Sequence, residues 1–366
     1  MNALPAARLA SPLRPLLLLL ATAACAPEPA PRRADAGPDL MLVVLEGPPI
    51  AGLTAPSSLD RFVEAEVVHT DPVEGWRALL TGQWPGTRTA TAPNTVHGVL
   101  RLYGYAVHHG ESDLLDAVFE KEPSLREGIG APITAPCLRE QVAAAKALDR
   151  GPQGDPLLIV LPARPSPDCD GVGGLTAGLE AAARWGTERG HALLVVGLSG
   201  GEPGAPLETA PERVPLWFRG QEGEPHDRPG LCSALDVLPT LLAVGRAVVP
   251  TDAAGQELTQ LRRNPKLGAA ALFQQDPAGG RVALTPVHRL YLPGGALPAG
   301  APLPEAPPEA LRLQTLIEDP RDPATVRAAL YGTLRAWERS VHGEADTERI
   351  GGEALRKTLA EQGYFR

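Results

Sequence analysis

The run Leu40-Met41-Leu42-Val43-Val44-Leu45 is continuously apolar, and Gly47-Pro48-Pro49 closes it. A strand with both faces apolar is typical of a parallel sheet that helices cover on both sides. This stretch therefore predicts a central, fully buried strand, and the rest of the chain can be interpreted around it.

Strand-like and helix-like segments alternate after this run. Strands are predicted at 105–107, 157–161, 192–196 and 214–218, and helices at 59–63, 74–81, 112–121, 172–189 and 231–244. Gly82 is expected to end the helix at 74–81, and Ser112 to cap the helix at 112–121. Pro215 indicates an edge strand or the first position of a strand, and Pro239 interrupts the last helix. The alternation predicts an α/β fold with a doubly wound, mostly parallel sheet over residues 39–265.

The pattern changes after residue 265. Two β-like segments, 269–273 and 281–292, precede a Pro-rich stretch, and helices are predicted at 323–342 and 352–361. Residues 266–366 are therefore predicted to form a small α+β C-terminal subdomain.

The N-terminus has the features of an export signal. Arg8 and Arg14 precede an apolar run at 15–24, which is short for a membrane span, and Cys25 follows directly. Residues 20–25 resemble a bacterial lipobox, although Thr22 stands where Leu is commoner and simple cleavage after Ala-x-Ala is the alternative. We expect a signal peptide at 1–25, a lipid on Cys25, a Pro/Ala-rich tether at 26–38, and a location in the periplasm or at the outer membrane.

Charge and cysteine count restrict the partners. A formal charge of -9 without a Lys/Arg cluster argues against nucleic acid. With Cys25 acylated, Cys137, Cys169 and Cys232 remain, which permits one disulfide of undetermined pairing in an oxidising compartment. Their spacing fits no zinc motif.

Four collinear segments resemble the sulfatase branch of the alkaline phosphatase superfamily. They are residues 38–46; Arg77-Ala78-Leu79-Leu80-Thr81-Gly82 with Trp84-Pro85; 193–202 with 213–216; and Ala234-Leu235-Asp236-Val237-Leu238-Pro239-Thr240. The resemblance implies a divalent cation held by carboxylates at strand ends, and a nucleophile at a helix N-terminus where the dipole favours an anion.

The positions that this resemblance assigns to catalysis are largely replaced. Two adjacent Asp would follow the first strand, but Glu46 and Gly47 stand there. The nucleophile would lie four residues before Arg77, and that residue is Val73, which has no nucleophilic atom. The later metal ligands are replaced by Ser199 and Gly200.

Two basic positions are replaced as well. A Lys after residue 105 is absent, with Glu111 the nearest match, and Pro162-Ala163-Arg164-Pro165 stands where a His would follow the 157–161 strand. Arg77 alone matches a catalytic position, and without an anion to hold it is expected to pair with Glu46, Asp71 or Glu74.

Two alternative sites are open. Gly197-Leu198-Ser199-Gly200-Gly201 matches the nucleophile elbow of serine hydrolases, but a Pro/Gly loop rather than a helix follows Ser199. The other alternative is a weak metal-dependent hydrolase of sulfate or phosphate esters, with a rearranged metal site that uses Glu46, His69 and Asp71.

The sequence therefore predicts a sulfatase-like pseudoenzyme without a cofactor, binding or scaffolding an unidentified protein or glycan in the cell envelope. Trp76, Trp84 and Trp217 fit either a sugar-binding cleft or core packing.

Overall fold

The computed structural model describes residues 37–47, 50–63, 65–66, 69–85, 94–148, 155–198, 213–219, 225–264, 271–298 and 301–342. The strands are β1 (Leu40–Leu45), β2 (Asp60–Phe62), β3 (Ala65–Glu66), β4 (Ala106–His109), β5 (Leu157–Ala163), β6 (Ala192–Gly197), β7 (Leu216–Arg219), β8 (Asp227–Arg228), β9 (Cys232–Ser233), β10 (Leu272–Gln275), β11 (Arg281–Leu284), β12 (His288–Leu292) and β13 (Arg312–Thr315). The α-helices are α1 (Pro72–Thr81), α2 (Val96–Leu102), α3 (Asp113–Lys121), α4 (Leu138–Lys146), α5 (Gly171–Arg189), α6 (Val237–Val244), α7 (Leu258–Arg263) and α8 (Pro323–His342). None of these helices is long and apolar enough to cross a bilayer.

The main sheet has seven strands in the order β4-β5-β1-β6-β7-β2-β8. β1 pairs in parallel with β5 and β6, and β7 is antiparallel to both β6 and β2. Alternate side chains of β1 enter two cores: Leu40, Leu42 and Val44 pack under α1, α2, α3 and α6, and Met41, Val43 and Leu45 pack under α4 and α5. The predicted doubly wound, mostly parallel sheet is confirmed.

A second sheet follows, antiparallel, in the order β10-β11-β12-β13. Helix α8 packs on it through Leu330, Leu334 and Trp337. Trp84, just after α1, contacts Phe273 and Trp337 edge-on at 5.5 and 5.8 Å between ring centroids, and so joins this sheet to the main one. The helix predicted at 352–361 lies outside the described residues.

Three local predictions need correction. Residues 59–63 are not a helix, because Asp60–Phe62 is the strand β2, paired with β7 and β8. The segment 231–244 contains the short strand β9, a 3-10 turn at Ala234–Asp236 and then α6. Pro239 does not interrupt α6 because it lies in the first turn, where its missing N–H leaves no hydrogen bond unmade.

The structure shows which cysteines form the disulfide. Cys137 and Cys169 form a disulfide that ties the start of α4 to the turn before α5, and Cys232 is a buried thiol in β9. Cys25 lies outside the described residues.

Candidate functional site

The candidate site lies at the carboxyl-terminal edge of the main sheet, where β1, β4, β5 and β6 all end. Glu46 directly follows β1 at this edge, and its N–H donates to the carbonyl of Ala163 at 2.8 Å. Helix α1 lies against the same edge, since Gly75 approaches the carbonyl of Leu198 so closely that an added Cβ would lie 3.2 Å from it.

The carboxylate of Glu46 is buried and held by protein groups. Its Oε1 accepts hydrogen bonds from the indole Nε1 of Trp76 at 2.8 Å and from the hydroxyl of Ser112. Burial raises the pKa of Glu46, against the lowering effect of these hydrogen bonds and of Arg164; nearby Asp113 raises it further. Two donors from the protein therefore occupy the oxygen that the resemblance assigns to a metal.

The N-terminus of α1 is closed by its own cap. Asp71 Oδ1 accepts the N–H of Val73 at 2.9 Å, and Pro72 occupies the first helical turn. The N–H of Asp71 in turn donates to His69 Nδ1 at 2.9 Å. A carboxylate thus sits where helix N–H groups and dipole would otherwise attract an anionic substrate.

Val73 is one turn before Arg77 on α1 and packs partly buried against the main core. Arg77 forms an ion pair with Glu122, with Nε to Oε1 at 2.5 Å. The prediction that Arg77 pairs with Glu46, Asp71 or Glu74 did not include this partner, which the packing of α3 on α1 supplies. Glu74 is instead 4.0 Å from the ammonium of Lys121.

Four predicted positions remain. Ser199 and Gly200 lie outside the described residues. Glu111 is exposed and accepts a hydrogen bond from Thr134 at 3.0 Å. His69 forms an isolated β-bridge with Gln275 of the second sheet, and burial lowers its pKa.

The described residues do not fit the divalent cation that the resemblance implies. Such a cation takes about six oxygen ligands, mostly carboxylates and carbonyls. Within the described ranges no three His, Cys, Asp or Glu side chains are grouped to hold a metal, so Glu46, His69 and Asp71 do not form one there. Glu46 is bonded to Trp76 and Ser112, whereas His69 accepts the N–H of Asp71 through Nδ1.

Sequence reasoning missed two members of the cluster around Glu46. Ser112 was identified only as a helix cap, which it is, since it accepts the N–H of Leu115 at 3.2 Å. Trp76 was assigned to a sugar cleft or the core, and it is fully buried in the core with its N–H on Glu46. Trp217 is also buried in the core.

Known structures share this fold at low identity. A phosphonate monoester hydrolase from Silicibacter pomeroyi is 11% identical with a TM-score of 0.58, covering 86% of this chain and 96% of its own. An alkaline phosphatase superfamily protein from Vibrio parahaemolyticus is 15% identical with a TM-score of 0.56, covering 90% and 89%. A 2-O GAG sulfatase is 13% identical with a TM-score of 0.53, covering 90% and 94%.

No protein-family model and no curated protein matches the chain. The structural likenesses show the fold: this chain has the sulfatase-like fold of the alkaline phosphatase superfamily, as the four sequence segments predicted.

Proposed function

We propose that this chain, with its sulfatase-like fold, is a pseudoenzyme that binds or scaffolds a protein or glycan in a bacterial cell envelope. The observation that carries the proposal is the cap of α1. Asp71 fills the anion position with a carboxylate of the chain itself, and Val73 offers no atom for covalent catalysis. The sulfate or phosphate group of an ester would have to displace the negatively charged carboxylate of Asp71, which is covalently part of the chain.

The cluster at Glu46 supports the same proposal. A metal ligand in an active member would present free lone pairs to the cation, whereas Glu46 is buried and directs Oε1 to Trp76 and Ser112. The pair Arg77–Glu122 adds to this, because the guanidinium that would hold a substrate oxygen is bonded to the carboxylate of Glu122, the residue that caps the C-terminus of α3.

The proposed location is the periplasmic side of the envelope, with Cys25 lipidated and the membrane as a partner through that lipid. The disulfide between Cys137 and Cys169 supports export, because disulfides persist in oxidising compartments and are rare in the bacterial cytosol. Since Cys232 is buried, Cys25 is the cysteine left for acylation.

Hydrolysis assays test the proposal. The purified chain is incubated with aryl sulfates, aryl phosphates and sulfated glycans, with and without chelator, beside the variant Arg77→Ala. We expect the wild type and the variant to show the same background with and without chelator. Turnover that chelator or Arg77→Ala abolishes would overturn the pseudoenzyme proposal in favour of a metal-dependent ester hydrolase.

A fluorophosphonate probe tests the serine hydrolase alternative. We expect the probe to label the wild type no more than it labels the Ser199→Ala variant. Labelling lost in that variant, and retained in a matched Ser112→Ala variant, would instead assign a nucleophile to Ser199.

A further inference from the structure

The described chain begins at the edge of the main sheet opposite to Glu46. Gly37 packs against Val244 and Gly245, so closely that an added Cβ would lie 2.7 Å from the Val244 carbonyl oxygen. Tyr105 Oη donates to the carbonyl of Pro38 at 2.9 Å and fixes the chain there. Residues 1–36, with Cys25, therefore join the domain at this amino-terminal edge.

The same edge presents two apolar side chains to water. Among the described residues, five large apolar side chains are exposed: Val63, Leu102, Val248, Leu316 and Ile317. Leu102, the last residue of α2, is 62% exposed, and Val248, after α6, is 70% exposed. The two segments meet where the N–H of Val248 donates to Tyr103 Oη at 3.2 Å.

Cationic side chains adjoin this pair. Arg101 and Arg246 are both exposed, and Arg101 Nη1 also donates to the carbonyl of Glu127 at 3.4 Å. Arg246 adopts a left-handed backbone conformation, with φ of 56°, that few non-glycine residues take. The strained turn lies immediately before Ala247 and Val248, so the chain keeps an unfavourable conformation at the point that exposes Val248. We call Leu102 and Val248, with Arg101 and Arg246, the Leu102–Val248 surface.

We propose that the Leu102–Val248 surface contacts the lipid bilayer, with the apolar side chains at the acyl boundary and the arginines among anionic headgroups. The inference rests on the proposed lipid anchor at Cys25. The eleven residues 26–36 between anchor and domain can extend at most about 40 Å, so a lipid at Cys25 keeps this edge within that distance of the membrane. Apolar residues flanked by arginines are the composition that binds such an interface.

This orientation determines which way the candidate site faces relative to the bilayer. β1 runs from the tether edge to Glu46 over six residues, which is about 20 Å at the rise of a strand. The edge that carries Glu46 and the α1 cap therefore faces away from the bilayer, toward partners in the periplasm.

The test places a tryptophan on the surface of the full exported chain. A histidine tag inserted between Ala30 and Pro31 attaches the chain to nickel-chelating vesicles of phosphatidylcholine and phosphatidylglycerol, whether or not Cys25 carries a lipid. Leu102→Trp and Val248→Trp are the probes. Ile317→Trp is the matched control, because Ile317 is 60% exposed and belongs to the C-terminal subdomain.

We expect brominated lipids to reduce the emission of both probe variants and to leave the control unchanged. Val248→Glu, added to Leu102→Trp, should remove the reduction. Equal quenching of probe and control, or no quenching of either probe, would overturn the proposal. In the absence of vesicles, the emission of the probe variants could change with protein concentration, and sedimentation could show a dimer. These two results together would overturn the proposal and indicate that the surface binds a second copy of this chain.

Failure of the anchor has a separate readout. The untagged chain should float with membranes of the producing cells, and chain that does not float refutes the lipid on Cys25. The quenching result then still decides the Leu102–Val248 surface, because the nickel lipid supplies the attachment.

Discussion

The carboxylate of Asp71 can be removed from α1 in two steps that separate its charge from its hydrogen bond. Asp71→Asn keeps an acceptor for the N–H of Val73, 2.9 Å away, and loses only the charge at the positive end of the helix. Asp71→Ala loses both. The charge contributes about 0.3–1 kcal/mol, and replacing an Asp cap by Ala costs about 0.5–2 kcal/mol in all.

Urea unfolding followed by far-ultraviolet circular dichroism measures both steps. We expect Asp71→Asn to lower the free energy of unfolding by less than about 1 kcal/mol, and Asp71→Ala to lower it further, by about 0.5–2 kcal/mol in all, from the same two contributions. Asp322→Ala is the matched control, because Asp322 caps α8 through the N–H of Thr325, also at 2.9 Å, far along the chain from the site.

Sulfate binding provides a second test of the Asp71 cap. In the wild type, sulfate at about 1–10 mM, too dilute for its general stabilising effect on folded proteins, should stabilise the chain no more than chloride at equal ionic strength does, because Asp71 occupies the N-terminus of α1. Specific stabilisation of the wild type by sulfate, or an Asp71→Ala variant as stable as the wild type, would refute the argument that this carboxylate fills the anion position.

Three further predictions concern stability. Because burial raises the pKa of Glu46 above 4.5, the wild type loses stability as pH rises from 4.5 through the raised pKa. Glu46→Gln does not ionise there and should therefore gain stability relative to the wild type over that range in urea titrations; a difference that does not vary with pH would contradict this. Burial lowers the pKa of His97 to about 4. The stabilisation from neutral His97 is therefore complete above pH 6.5 and decreases by roughly 3 kcal/mol in total as pH falls toward 4. His97→Gln should make this decrease of the free energy of unfolding smaller in the same titration. Cys137→Ala/Cys169→Ala, which opens a loop with a sequence separation of 32, should lower the free energy of unfolding by about 3–4 kcal/mol, and an unchanged urea midpoint would show that the disulfide does not form.

Local signals in the sequence were sufficient for much of the fold. The apolar run of β1 identified the centre of the sheet, and Gly82 and Ser112 marked a helix end and a helix start that the structure has at those residues. Each of these signals depends on residues within a few positions of one another.

Predictions failed where distant residues decide the structure. β2 replaces the expected helix at 59–63 because Asp60 accepts hydrogen bonds from the N–H of His226 at 2.9 Å and from Arg228 at 3.1 Å, and pairs with Arg262. These partners are more than 160 positions away, as the separation of 166 between Asp60 and His226 shows, so nothing near residue 60 indicates them.

The same limit applies to the candidate site. The positions Glu46, Val73 and Arg77, of which Arg77 alone matches the family pattern, could be identified from the motif segments alone. The partners that now engage them, Ser112 and Glu122, are 66 and 45 positions away from Glu46 and Arg77. Only the packing of α3 against α1 brings them there.

Elemental analysis of the purified chain, after equilibration with calcium, magnesium, manganese and zinc and removal of unbound metal, tests the pseudoenzyme proposal most directly. We predict no stoichiometric metal, because Glu46 is held by Trp76 and Ser112 and the described residues contain no group of three His, Cys, Asp or Glu side chains that could hold a metal. One tightly held equivalent of metal that is lost in Glu46→Gln, and retained in Glu111→Gln, would contradict the proposal and restore metal-dependent ester hydrolysis as the function to test.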